Sequence, residues 1–157
     1  MKSFILFILV ATCFVCDAQD SKPINNKQTG QSQTVTVRYI VSDIDSAVAF
    51  YTTMLGFNAD QHLKSAFANL SLGNLRLLIN RPGAGGAGQA MPDGRIPAPG
   101  GWNRIQITVE NLETTVKDLK SKGAKFRNEI VTGNGRQQIL LEDPSGNLVE
   151  LFQPPGK

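Results

Sequence analysis

In "SGNLVELFQP", residues 145–154, one carboxylate, Glu150, follows a tight turn and interrupts an otherwise apolar strand. An earlier stretch, "LGNLRLLINR", residues 72–81, repeats the frame without it. A lone strand glutamate has three readings: the remnant of a metal site, a working acid-base group, or an ordinary solvated side chain. Few other residues offer chemistry. His62 is the only histidine and falls on a segment that reads as a strand, so it is either a general base or a solvated edge residue. Two arginines, Arg38 and Arg104, lie on strand-like runs that precede helical patterns. Arginine on a strand face suits recognition of an anion or a carbonyl oxygen.

The chain of 157 residues holds one domain's worth of sequence. It opens with MKSFILFILVATCFVCDA, in which Lys2 precedes an apolar run from Phe4 to Val15 and Ala18 offers a small residue for cleavage. This reads as a signal peptide over residues 1–18, too short to span a bilayer, and predicts export to a periplasmic or extracellular space. The alternative is lipoprotein processing at Cys13 in VATC, although Thr12 fits that pattern poorly. Both cysteines, Cys13 and Cys16, fall in this segment, so cleavage after Ala18 leaves neither a disulfide nor a thiol nucleophile. Residues 19–33 are polar and read as a disordered tether. A net charge of +3 without a Lys/Arg run argues against nucleic acid as a partner.

The domain, residues 34–155, contains an internal repeat. Tyr39 to Val48 and Ile107 to Val116 match position by position: an alternating β-branched run, an Asp or Asn cap, then a helical pattern. The helices are expected over Ser46–Leu55, stopped by Gly56, and Glu113–Lys122, stopped by Gly123. Further strands are expected at Phe57–Leu63, Ala66–Leu72 and Leu75–Asn80, then at Lys125–Asn128, Gln137–Glu142 and Leu148–Gln153. The order is βαβββ twice: module one over 34–80, a crossover over 81–101, and module two over 102–155.

Three motifs, "VSDIDSAVAFYTTMLGF", "RIQITVENLETTVKDLKSKGAKF" and "LLEDPSGNLVELFQP", resemble the vicinal oxygen chelate superfamily, which includes glyoxalase I, extradiol dioxygenases and bleomycin-resistance proteins. The similarity runs from about Val35 to Pro154. It implies an α+β fold of two tandem βαβββ modules, forming a curled mixed sheet around a ligand cup, in a protein that is expected to form a homodimer as relatives often do. In metal-dependent members the cup carries a divalent ion on four side chains, one from the first and one from the last strand of each module. Those positions map to Thr36, Leu77, Arg104 and Glu150, because Gly73-Asn74-Leu75-Arg76-Leu77 aligns with Gly146-Asn147-Leu148-Val149-Glu150.

Only Glu150 of the four is a usual ligand, short of the three or four donors that Zn²⁺ or Fe²⁺ needs. A guanidinium about 4 Å from a divalent ion would be repelled by roughly 8 kcal/mol at an effective dielectric of about 20. The expectation is therefore no metal cofactor, with Arg104 in the place of the ion and paired with Glu150. Alternation sends Arg104, Gln106 and Thr108 to the cup together with Thr36, Arg38 and Ile40. The last strands are expected to add Leu75, Leu77 and Ile79, then Leu148, Glu150 and Phe152.

The crossover, rich in Gly and Pro, reads as an ordered surface loop closing one side of the cup, with Trp102 either anchoring it or stacking on a ligand. "TGNGRQQ" reads as a rim turn and "DPSGN" as a hairpin turn. Three functions follow: a metal-free binder of a small anionic or carbonyl-containing ligand, a glyoxalase-like lyase or isomerase with Glu150 as general base, and a non-catalytic interaction module.

Overall fold

The computed structural model describes residues 34–64 and 66–156, so the signal-peptide and tether readings fall outside the described residues. Module one runs β1 (Val35–Ile40), α1 (Ile44–Leu55), β2 (Asn58–Leu63), β3 (Phe67–Leu72) and β4 (Leu75–Asn80). Module two runs β5 (Arg104–Thr108), α2 (Leu112–Ser121), β6 (Lys125–Phe126), β7 (Val131–Gly133), β8 (Arg136–Glu142) and β9 (Leu148–Gln153). The fold is α+β, with a helix on one face of each mixed sheet.

The helices begin where their caps dictate. The Asp43 carboxylate accepts from the Ser46 amide at 2.7 Å, and the Asn111 side chain accepts from the Thr114 amide at 2.8 Å. Each satisfies a backbone donor that the first turn leaves without a partner. α1 then buries Ile44, Ala47, Val48, Phe50 and Tyr51, and α2 buries Leu112, Val116 and Leu119. They join Tyr39, Leu70, Leu77, Ile79, Ile105, Ile139 and Leu151 in one hydrophobic cluster. Burial of each large aliphatic or aromatic side chain stabilises by about 1.5–3 kcal/mol.

The strand orders are β1-β4-β3-β2 and β5-β9-β8-β6, with β7 paired to β8. In each sheet the first strand runs parallel to the last, which places the first strands of both modules at sheet edges. The two modules give two mixed sheets, as the expected βαβββ repeat implies, and the sheets do not close into a barrel. Side chains join them where no backbone ladder does. The Tyr39 hydroxyl donates to the Leu148 carbonyl at 2.8 Å and accepts from the Ile105 amide at 2.9 Å. Asn147 Nδ2 donates to the Ile40 carbonyl at 2.9 Å, and the Tyr51 hydroxyl donates to Asp143 Oδ2 at 3.1 Å.

The register of β4 corrects the alignment of the two modules. Val37 pairs with Leu77 and Arg38 with Leu78, and paired residues share a face. Leu77 is thus 0% exposed in the core, not on the cup face, and the same holds for the face assignment of Leu75 and Ile79. The cup face of β4 is Arg76, Leu78 and Asn80. Val41 N donates to Asn80 O as Val109 N donates to Phe152 O, so Leu78 is the counterpart of Glu150. The slip arises in the turns. Leu72 pairs with Leu75 across Gly73-Asn74 alone, with Gly73 at φ 55°, whereas Glu142 pairs with Leu148 across the longer Asp143–Asn147 loop. Aligning the two Gly-Asn pairs therefore shifts the strand by one residue, which exchanges its faces.

β7 was not anticipated as a strand. Asn134 and Gly135, both at positive φ, form the two-residue turn between Gly133 and Arg136, so the rim turn is a β-hairpin.

Candidate functional site

β5 and β9 create the site through register. Gln106 lies opposite Glu150 in the parallel pair, and Arg104 precedes it on the same face. Glu150 is 6% exposed and both its oxygens are engaged. Arg104 Nε donates to Oε2 at 2.6 Å, and Gln106 Nε2 donates to Oε1 at 2.6 Å. Burial pushes the Glu150 carboxyl up, but the hydrogen bonds from Gln106 and Arg104, with the charge of Arg104, outweigh it and hold the group below the usual carboxylate range. A carboxylate so held is an anion that fixes its neighbours and a poor acceptor for a substrate proton.

Arg38 enters the same region from β1. Its Nη1 donates to Oδ1 of Asn80, a buried residue on β4. Arg38 and Arg104 line one cavity of about 290 Å³, together with Ala98, Gly100, Asn103 and Asn147. The end of the crossover is thus one wall, held where the Gly100 amide donates to Asn147 Oδ1 at 2.8 Å. Asn147 touches β1, the crossover and Asp143 at once; the sequence showed only a turn residue there.

The other candidates divide. Thr36 shares the face of Arg38, opposite Arg76, and Thr108 and Phe152 pair at the far end of the β5–β9 face. Leu77 is excluded by its burial. Trp102 is 70% exposed, so it is no anchor; its ring lies 5.7 Å from the Arg127 guanidinium carbon, and its carbonyl accepts from Arg104 Nη1 at 3.4 Å. His62 stands opposite Ala68 on the helix side of its sheet, with Nε2 at 2.6 Å from Asp45 Oδ1 of α1, away from the arginines. Two further pairs were not anticipated: Arg127 with Glu142, and Arg76 with Asp60 at 3.8 Å, where Asp60 also accepts from the Ser71 hydroxyl at 2.9 Å. A larger cavity, about 460 Å³, lies elsewhere, between α1 and the Gly123–Lys125 and Glu142–Gly146 segments.

A family model of the glyoxalase/bleomycin resistance protein/dioxygenase superfamily matches residues 33–151. The chain belongs to this superfamily. Solved structures agree in fold. A lactoylglutathione lyase from Agrobacterium tumefaciens is 20% identical, with 79% of this chain and 95% of that one covered at a TM-score of 0.63. A superfamily member from Sphaerobacter thermophilus is 24% identical, with 79% and 98% covered at 0.61. A glyoxalase/bleomycin resistance protein/dioxygenase from Nocardioides is 18% identical, with 83% and 90% covered at 0.61. At these identities the likeness is one of fold alone. Among curated proteins, no relative matches the chain.

The metal implied by part of the glyoxalase/bleomycin resistance/dioxygenase superfamily does not fit these residues. With the register corrected, the four ligand positions hold Thr36, Leu78, Arg104 and Glu150, and the one carboxylate is already bonded at both oxygens. Among the described residues no group of three or more His, Cys, Asp or Glu is gathered to hold an ion. Nor is any described helix long and apolar enough to cross a membrane.

Proposed function

We propose that this superfamily member binds a small ligand bearing an anionic or carbonyl group, on the face where Arg38 and Arg104 meet, without a metal ion. The observation that carries the proposal is that the first strands of both modules deliver a guanidinium to one cavity. Exposed arginines in one cavity with the half-buried apolar side chains Val37 and Ile40 suit an apolar body with a charged end. Glu150 serves to orient Arg104; its two occupied oxygens count against a role as general base in a lyase or isomerase. The N-terminal pattern supports action outside the cytoplasm, and the family resemblance supports a homodimer.

Benzoate, an apolar ring with one carboxylate, is the probe. Its titration by calorimetry should give measurable binding, weakened at least about tenfold, roughly 1.4 kcal/mol, in Arg38→Ala and in Arg104→Ala. Equal affinity in wild type and both variants would overturn the assignment.

A further inference from the structure

We infer that this site is built for a ligand with a single negative charge, and that Glu150 is the residue that sets the limit. The inference rests on the anion-binding reading above and adds the ligand's charge class and the residue that selects it.

It comes from the pairing of charges on the cup face. Arg104 meets Glu150 at 2.6 Å, Arg76 meets Asp60 at 3.8 Å, and Arg127 meets Glu142. Arg38 bonds the neutral amide of Asn80, and among the described residues no carboxylate lines the cavity it shares with Arg104. Lys125 lies beside Glu142 at the far edge strand, outside that cavity. The cavity thus presents one uncompensated positive charge, at Arg38.

An anionic group on Arg38 neutralises it. A second would have to reach Arg104, whose charge is already met by a carboxylate at 6% exposure. Burial screens Glu150 poorly, so its repulsion of an incoming anion persists where an exposed carboxylate's would be damped. Arg104 can still donate to a neutral oxygen acceptor, because its balanced charge does not remove its remaining N–H groups. The ligand class is therefore a monoanion with an apolar body and an uncharged carbonyl or hydroxyl oxygen. Like-charge exclusion of this kind is how a binding site rejects a near relative of its ligand.

The test compares benzoate with phthalate, which adds a second carboxylate to the same ring, by calorimetry at neutral pH. Trp102, the sole tryptophan and a neighbour of Arg104, supplies a fluorescence readout. Wild type should bind benzoate at least about tenfold more tightly than phthalate, and Glu150→Gln should raise phthalate affinity until the preference disappears or reverses. As a second variant, Leu78→Glu places a carboxylate in register with Arg38 and should abolish benzoate binding. Phthalate bound as well as benzoate by wild type, a preference unchanged in Glu150→Gln, or benzoate binding retained in Leu78→Glu would overturn the inference. Failure of benzoate to bind wild type, or its equal binding to Arg38→Ala, would instead overturn the underlying anion reading.

Discussion

Tyr39 of the first module and Leu148 of the second are joined by a hydrogen bond of 2.8 Å, and the same phenol accepts from the Ile105 amide. Burial raises the pKa of the hydroxyl, so it stays neutral and able to donate. Tyr39→Phe would keep the ring but leave a buried carbonyl and a buried amide short of a partner. Each such group costs about 1–3 kcal/mol, about 2–6 kcal/mol for the two, so the Tm should fall by at least roughly 6 °C. Thermal unfolding followed by circular dichroism checks this, and an unchanged Tm would show that the seam does not depend on Tyr39.

Acid should weaken the fold through Glu150. Its folded pKa lies below its ordinary value of 4.5, so its contribution is complete above that value and is lost as pH falls through the folded pKa. Glu150→Gln should therefore cost about 1–2 kcal/mol at neutral pH and progressively less below about pH 4.5. Urea unfolding of both proteins across that range is the measurement. A stability difference independent of pH would contradict the carboxylate's depressed pKa.

The register of β4 separates two adjacent leucines. Leu77→Glu buries a charge in the core and should cost more than about 3 kcal/mol, while Leu78→Glu, on the cup face opposite Arg38, should stay within about 1 kcal/mol of wild type. Chemical denaturation of the pair decides the matter. Similar losses in both would mean that the two faces are not distinguished as the pairing implies.

Thermal shift with Zn²⁺, Mn²⁺, Fe²⁺ and Ni²⁺, before and after chelator treatment, should show no stabilisation, because Arg104 and Gln106 already occupy Glu150. One equivalent of bound ion together with a rise in Tm would refute the metal-free reading.

The repeat, both helices with their caps, and most strands were legible in the sequence, because these depend on local signals. Asp43 and Asn111 cap whatever follows them, and the alternation over Arg104–Thr108 assigns faces because charged and apolar residues take turns. It also suggested that Arg104 and Glu150 should meet. The register of β4 emerged only on folding: "LRLLIN" is apolar at Leu75, Leu77, Leu78 and Ile79, so hydrophobicity could not say which leucine faces the core. The hairpin at Asn134-Gly135 carried a recognisable signal that a reading as a simple rim turn passed over. Asn80, Asn103 and Asn147 carried none, since an amide becomes part of a site through what the fold brings beside it. The charge balance of the cup is of the same kind. A count of arginines is local, but which of them keeps its charge free depends on pairings between strands far apart in the chain.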